Sequence, residues 1–337
     1  MNLPVPPDSL PPRARALVRR YERHLSRPNP FFPERVTLEI SSVCNFRCPM
    51  CPRHFAKGED GLMDATLWRR LVDEFVARGA KTLVPFFRGE PTIHPDWLEL
   101  LAYAKARGVP EIQMATNGSR LDESSAARLL DIGIEFLSFS LDTADPAAYA
   151  LARVGGSLSQ TLANVEGFLR LRSERGLSKP VVQVSAVDTE WTRPGIPAFV
   201  RFWEGRVDRV RIYPEHSFEG RYGMLAPGQR LFPPGVRLPC QKPMTDMVVC
   251  WNGEVHLCCY DWERKRSLAN VRASTMAEAW NGRAYEEIRQ MHAGGIPMHP
   301  QENCVPCDHW QNAYVREGLT GVLRERGKRP RKAREEI

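Results

Sequence analysis

The chain has 337 residues, 42% hydrophobic and 26% charged, with nine cysteines and a formal net charge of +7. That is enough to bury the core of one large domain, or of one domain with a small appendage. It holds no run near the roughly 20 apolar residues of a membrane span. The first 25 residues lack the apolar centre of a signal peptide, so a cytoplasmic chain is expected. An odd cysteine count in that compartment argues against a disulfide framework, and the clustering of the cysteines argues for metal. The positive charge is concentrated at the ends, with a net +4 in residues 1–29, +4 in 315–337 and −1 between them. A nucleic-acid enzyme shows basic excess along its working surface, so nucleic acid is not an expected partner and the tails read as solvated termini.

Residues 1–34 form an N-terminal extension, Pro-rich to residue 12 and then helical over 13–25. Strands are predicted over 35–40, 82–87, 111–116, 134–140, 181–187 and 207–213, each followed by a helix or a motif-bearing loop. One helix starts from Asp64 and stops at Gly79. The next has Pro95 in its first turn and ends at Gly108. Two more take Asp122 and Ser159 as N-caps, and a shorter one lies near 196–204. Six strand–helix units in succession predict an α/β fold, a parallel sheet wrapped by helices. Six are too few to close an eight-fold barrel, so an open partial (β/α) barrel is expected over 35–225. Beyond residue 220 comes a turn-rich linker, then two short strands around Asn252-Gly253, the strongest short hairpin signal a sequence offers. A helix over 274–292 capped by Ser274, a Cys304-x-x-Cys307 loop and a basic tail over 314–337 complete the chain. The expected small C-terminal domain spans 226–313.

Cys44-Asn-Phe-Arg-Cys48-Pro-Met-Cys51 follows the first strand directly. Three thiolates at this spacing can wrap one corner of a cubane and leave its fourth iron without a protein ligand, open to a chelating substrate. The alternative is zinc, with His54 as the fourth ligand at hand. This motif, with Arg88-Gly89-Glu90-Pro91 after the second strand, Thr116-Asn117-Gly118 after the third and Ser138 and Ser140 on the fourth, resembles the radical S-adenosylmethionine (SAM) superfamily over residues 35 to about 215. The resemblance implies a [4Fe-4S] cluster on Cys44, Cys48 and Cys51 whose open iron binds the amino and carboxylate groups of S-adenosyl-L-methionine. It implies reductive cleavage to methionine and a 5′-deoxyadenosyl radical, with an external one-electron reductant such as a flavodoxin or ferredoxin as partner. Met50 resembles the position whose backbone meets the adenine. Gly89 and Glu90 resemble the segment that holds the SAM ammonium. Asn117, Ser138 and Ser140 match positions that line the SAM pocket. Arg88 stands where the family has glycine, and its side chain is expected to face the substrate.

Six cysteines remain. With Asn252-Gly253 as a two-residue turn, Trp251 faces Glu254, Val249 faces His256 and Met247 faces Cys258. Cys250 then pairs with Val255 on the other face, beside Val248 and Leu257, as a small buried hydrophobe. Cys259 alternates off the Cys258 face. Cys240, Cys258, Cys304 and Cys307 are left as a full ligand set for a second, closed [4Fe-4S] cluster, with zinc as the alternative. This region resembles the SPASM/twitch extension of radical SAM enzymes in its one-cluster form, and its ligand layout resembles that of the aminocyclitol dehydrogenases of aminoglycoside biosynthesis.

A fully ligated auxiliary cluster has no site for substrate, and its simplest role is electron transfer. The expected reaction is a two-electron oxidation of a small polar, sugar-like molecule, with Arg211, Tyr213 and His216 near the sixth strand to position or deprotonate it. The alternatives are epimerisation with Cys250 or Cys259 as hydrogen donor, modification of a ribosomal peptide, and a zinc-bound RNA-binding module.

Overall fold

The computed structural model describes residues 10–26, 30–55, 58–215, 237–262, 267–294, 304, 307, 309–314 and 323–325. Six strands alternate with helices in the order expected. They are β1 (Arg35–Leu38), β2 (Thr82–Val84), β3 (Glu111–Thr116), β4 (Phe136–Ser140), β5 (Val181–Asp188) and β6 (Arg209–Pro214), all pairing in parallel with their sequence neighbours. The helices are α1 (Pro12–Ser26), α2 (Ala65–Ala77), α3 (Trp97–Ala106), α4 (Glu123–Ile132), α5 (Pro146–Ala152), α6 (Leu158–Glu174) and α7 (Ile196–Trp203). The sheet does not close between β1 and β6. Alternation along β1 sends Val36 and Leu38 into the helix-facing core, and Arg35 and Thr37 into the lumen.

Helix ends follow side-chain caps. Asp64 accepts from Leu67 N at 2.8 Å, and Asp122 accepts from Ser125 N at 2.8 Å. Gly133 closes α4 in the left-handed region. Three expectations shift. The cap of α6 is Ser157 rather than Ser159, accepting from Gln160 N at 3.4 Å. Pro95 precedes the cap Asp96 of α3 instead of sitting in its first turn. The helix expected over 274–292 is two helices, α9 (Met276–Trp280) and α10 (Arg283–His292), and its cap is Thr275 in a capping box with Glu278. The break falls at Asn281-Gly282, where Asn281 turns away to accept from Phe31 N at 3.1 Å and donate to Phe31 O at 2.9 Å.

The C-terminal region is continuous with the barrel sheet. After α8 (Lys242–Thr245), β7 (Asp246–Val249) pairs in parallel with the free edge of β1. It is followed antiparallel by β8 (Glu254–His256) and β9 (Ala269–Asn270). At the opposite edge β10 (Leu323–Glu325) pairs antiparallel with β6.

The hairpin register differs from expectation by one residue. Val248 faces His256, Val249 faces Val255, and Cys250 N donates to Glu254 O at 2.8 Å. The loop is therefore three residues, Trp251-Asn252-Gly253, with Gly253 in the left-handed region at φ 87°. Cys250 consequently shares its face with Val248 and Phe87, while Val255 packs on the other side with Val249.

The basic N-terminal segment also departs from a solvated terminus. Helix α1 buries Ala14, Leu17, Val18 and Tyr21 against the C-terminal region. Among the described residues no helix is long and apolar enough to cross a membrane.

Candidate active site

The loop after β1 carries Cys44, Cys48 and Cys51, and docks backbone to backbone on the loop after β2. Glu90 N donates to Val43 O at 2.8 Å. A Cβ built at Gly89 would lie 2.3 Å from Ser41 O and 2.6 Å from Val43 O, so only glycine allows this approach. Glu90 is buried. Its Oε1 accepts from Thr92 N at 3.1 Å, Thr92 Oγ1 at 2.7 Å and Thr116 Oγ1 at 2.7 Å, and its Oε2 accepts from Asn117 N at 2.7 Å. A carboxylate offers about four acceptor sites, so Oε2 keeps room for an ammonium. Burial raises the Glu90 carboxyl above the usual carboxylate range, against the pull of these donors.

Asn117 ties the third strand's loop to the cysteine loop. Its Nδ2 donates to Asn45 Oδ1 at 2.9 Å, and its Oδ1 accepts from Ser119 N and Oγ at 3.0 and 2.7 Å. Met50 is buried with Phe46, Cys48 and Ala152. Ser138 accepts from Gln183 Nε2 at 3.0 Å in the lumen, with Ser140 next on the same face of β4.

The three thiols meet the chemistry of a cluster site. Burial is the main cause that raises each of them, and each also feels one of the other two thiols. The Cys44 sulfur accepts from Phe46 N at 3.4 Å, the kind of N–H···S bond that tunes an iron–sulfur ligand. His54 does not serve as a fourth ligand through Nε2, which bonds the Cys48 carbonyl at 2.9 Å. Among the described residues no group of three or more His, Cys, Asp or Glu side chains is gathered for a single metal ion. A cubane spreads its thiolates over different irons and does not require such a centre.

Two residues that sequence reasoning missed complete this site. Arg153, the C-cap of α5, points Nη1 at the Cys48 sulfur at 3.7 Å and pairs through Nε with Asp142 Oδ2 at 2.5 Å. Burial opposes the Arg153 charge, but Asp142 and the Cys48 thiol raise its pKa overall. Asp142 stands at φ 68°, held by Val187 N at 2.8 Å. Helix α5 did announce itself through Asp145-Pro146, a cap followed by proline at the first position. Nothing in the sequence pairs Asp142 with Arg153.

Arg88 does not face a substrate. Its side chain is 2% exposed, donates through Nε and Nη2 to Glu39 Oε1 and Oε2 at 3.0 and 2.7 Å, and reaches the Cys250 sulfur at 3.2 Å. Cys250 thus lies against a guanidinium rather than among aliphatic side chains alone.

In the C-terminal region, burial is the largest cause that pushes the Cys258 thiol well up, followed by Cys259, Cys304 and Cys307, which places these thiols in one another's field. Cys258 accepts from Tyr260 N at 3.4 Å, and Cys307 N closes the CxxC turn on Cys304 O at 3.2 Å. Cys240 is buried, with its N–H donating to His292 Nδ1 at 3.4 Å. Burial, then the charge of Arg237, holds His292 down to about 3, so the ring is neutral and able to accept.

A cavity of about 710 Å³ lies between the lumen and this region. Arg35, Thr37, Thr82, Val84 and Tyr213 line its barrel side, and Phe87 and Trp262 pack together across it at 5.2 Å. Its other wall is Cys240, Lys242, Asp246, Cys259, Tyr260 and His309, the last two stacked at 4.0 Å. Lys242 holds Asp246 at 2.7 Å. Arg211 lies on the same strand face as Tyr213, 5.2 Å over its ring. His216 lies outside the described residues.

Residues 38–182 match the Radical SAM superfamily, and residues 240–308 match an iron–sulfur cluster-binding domain, SPASM. The chain is 26% identical over 303 residues, 75% of itself and 82% of the relative, to the tungsten-containing aldehyde ferredoxin oxidoreductase cofactor-modifying protein of Pyrococcus furiosus. Its fold is similar to SuiB of Streptococcus suis bound to precursor peptide SuiA, with a TM-score of 0.62 and 17% identity over 80% of this chain and 70% of that one. It is also similar to BtrN in complex with AdoMet and 2-DOIA, with a TM-score of 0.48 and 18% identity over 79% of this chain and 88% of that one. Likeness at these identities concerns the fold alone. A [4Fe-4S] cluster and S-adenosylmethionine go with the first domain, and further iron–sulfur goes with the second. The chain belongs to the radical SAM superfamily, as an enzyme that carries a SPASM-type iron–sulfur domain on the free edge of its barrel.

Proposed function

We propose that the enzyme oxidises a small polar, sugar- or aminocyclitol-like substrate by two electrons, with Cys44, Cys48 and Cys51 holding the catalytic cluster and Cys240, Cys258, Cys304 and Cys307 the auxiliary one. When bound, the first cluster supplies the electron that cleaves SAM, and the second accepts the electron that the substrate releases. The substrate chemistry balances. A carbinol loses a hydrogen atom to the 5′-deoxyadenosyl radical, and the carbon radical that remains gives up one proton and one electron to become a carbonyl. A flavodoxin or ferredoxin is the expected external donor.

The observation that carries this reading is the cavity. It begins at Phe87, beside the Gly89-Glu90 loop, and ends at Cys240 and Tyr260 in the auxiliary domain. A substrate there would lie against Cys240 and Cys259 at one side and Phe87, two residues before Gly89, at the other. The aromatic wall suits the C–H face of a ring, and the Lys242–Asp246 pair and Thr37 suit its hydroxyl or amino groups.

Anaerobic turnover on candidate polyols and amino sugars tests it, by counting 5′-deoxyadenosine against oxidised product. One product per SAM cleaved is expected in the parent. Cys304→Ala should continue to cleave SAM with little product, whereas Cys44, Cys48 and Cys51 replaced together by Ala should cleave none. Full product yield in Cys304→Ala would reject the auxiliary cluster as acceptor.

Epimerisation is the second reading, and one observation favours it. Cys259, a thiol outside the proposed ligand set, lines the same cavity.

A further inference from the structure

Helix α1 lies outside both matched segments. Its apolar residues Ala14, Leu17, Val18 and Tyr21 recur at the i, i+3, i+4, i+7 spacing of one helix face. That face is buried in one cluster with Leu238, Cys240, Met244, Trp310 and Tyr314, the chain that flanks Cys240 and the turn beyond Cys307.

The polar groups of the same interface converge on Cys240. Tyr21 has no exposed surface, and its hydroxyl donates to the Cys240 carbonyl at 2.8 Å. The Tyr314 hydroxyl donates to the Pro239 carbonyl at 2.8 Å. The Cys240 N–H is taken by His292, as described above, so both backbone polar groups of this cysteine are held. Arg13 Nε donates to Ala313 O at 3.0 Å and fastens the start of the helix to that turn. A cysteine whose backbone is fixed on both sides has its Cα–Cβ bond aimed in one direction, which limits its sulfur to the few positions that χ1 allows. A wall of apolar side chains behind it keeps water away. Hydrogen bonding and solvent exposure are two of the factors that set an iron–sulfur potential.

We propose that α1 is the outer wall of the auxiliary cluster site, and that Tyr21 is a positioning residue that holds Cys240 towards the cluster. The proposal rests on the assignment of Cys240 as an auxiliary ligand, and the test separates the two.

Holoenzyme variants are purified anaerobically, and each cluster is followed by reductive titration with electron paramagnetic resonance. Tyr21→Phe keeps the ring and removes only the hydroxyl. It should retain the parent's iron and sulfide, shift the midpoint potential of the auxiliary signal beyond replicate error, and leave the SAM-responsive signal unmoved. Val18→Asp places a charge under the apolar face and should bleach the auxiliary signal several-fold faster in air. Cys240→Ala should lose that signal. If Cys240→Ala keeps it, the ligand assignment fails and the proposal falls with it. If Cys240→Ala loses it while Tyr21→Phe and Val18→Asp keep the parent's potential and bleaching rate, the ligand assignment stands and the role of α1 is overturned. Should Val18→Asp fail to fold, the Tyr21→Phe potential decides alone.

Discussion

Arg88 and Glu39 form a buried, two-pronged ion pair, with Nε to Oε1 at 3.0 Å and Nη2 to Oε2 at 2.7 Å. It joins three elements. Arg88 opens the Gly89-Glu90 loop, Glu39 follows β1, and the arginine touches Cys250, the last paired residue before the hairpin loop of the auxiliary domain. An arginine in place of the family's glycine thus works inward, as a strut between the Gly89-Glu90 loop and the second domain. Removing one partner strands the other charge in a dry site. Glu39→Gln should destabilise the holoprotein by about 3–5 kcal/mol. The double variant Glu39→Leu with Arg88→Met, which removes both charges, should recover most of that loss in a denaturant titration. Equal loss in the single and double variants would show that packing, and not charge, holds this junction.

On the proposed assignment of Glu90 to the SAM ammonium, SAM binding should depend on pH. Burial raises its carboxyl above the usual carboxylate range. The folded protein therefore binds this proton more tightly than the unfolded chain does. The stability this contributes is full below the ordinary carboxylate range and is lost as pH rises through the raised value. Affinity for the SAM ammonium runs the other way, since it needs the ionised form, and should fall as pH drops through that value. Glu90→Gln should keep its iron, lose about 1.5–3 kcal/mol, or roughly ten- to a hundredfold in Kd, and bind with a flatter pH profile. Calorimetry or equilibrium dialysis across the acid range reads both effects, and an unchanged Kd in the variant would remove Glu90 from the site.

Arg153 sets the charge around Cys48. Its guanidinium lies 3.7 Å from the sulfur and is fixed by Asp142. A cation and a hydrogen bond at a thiolate favour the more negative, reduced cluster. Arg153→Met should therefore lower the midpoint potential of the SAM-responsive cluster and slow reductive cleavage, with iron content unchanged. Asp142→Asn leaves the arginine in place but frees it from its anchor, and should shift the potential less. A potential unmoved in Arg153→Met would reduce this residue to a packing role.

The barrel was legible because its signals are local. The Asp64 and Asp122 caps, the Gly133 stop and the runs of β-branched residues in β5 and β6 each act within a few residues. Where local signals competed, the choice slipped. Ser157, two residues before the expected Ser159, is the cap that forms at α6, and Asn281-Gly282, a turn dipeptide, breaks the helix expected over 274–292. The hairpin register slipped for a non-local reason. The Trp251 ring packs over Gly61, where a Cβ would meet it at 2.5 Å, and this docking holds Trp251 in the loop, leaving Cys250 as the last paired residue. Because β8 stops at His256, strand parity never reaches Cys258 and Cys259, and it cannot sort them. Arg88 with Glu39 and Arg153 with Asp142 were not legible, since no short motif records a partner many residues away.

The cavity sharpens the choice between oxidation and epimerisation to one thiol. Cys250 is sealed between Phe87, Val248 and Arg88, and it does not line the cavity. Cys259 does, where burial pushes its thiol up, against the pull of Lys242. A raised thiol keeps its S–H at neutral pH, which is the form that returns a hydrogen atom. If the enzyme epimerises, product formed in deuterated buffer should carry one deuterium on carbon, and Cys259→Ala should abolish that label while SAM cleavage continues. If it oxidises, product should lose hydrogen and gain none, Cys259→Ala should turn over normally, and Cys250→Ala should affect stability alone. Cys240, a proposed auxiliary ligand in the wall of the same cavity, weighs towards oxidation, because an epimerase returns the hydrogen and has no electron to pass on. Carbon-bound deuterium that disappears in Cys259→Ala would overturn that choice. Its absence, with oxidised product formed one for one with 5′-deoxyadenosine, leaves Cys259 as a wall of the cavity and the electron as the second thing the substrate gives up.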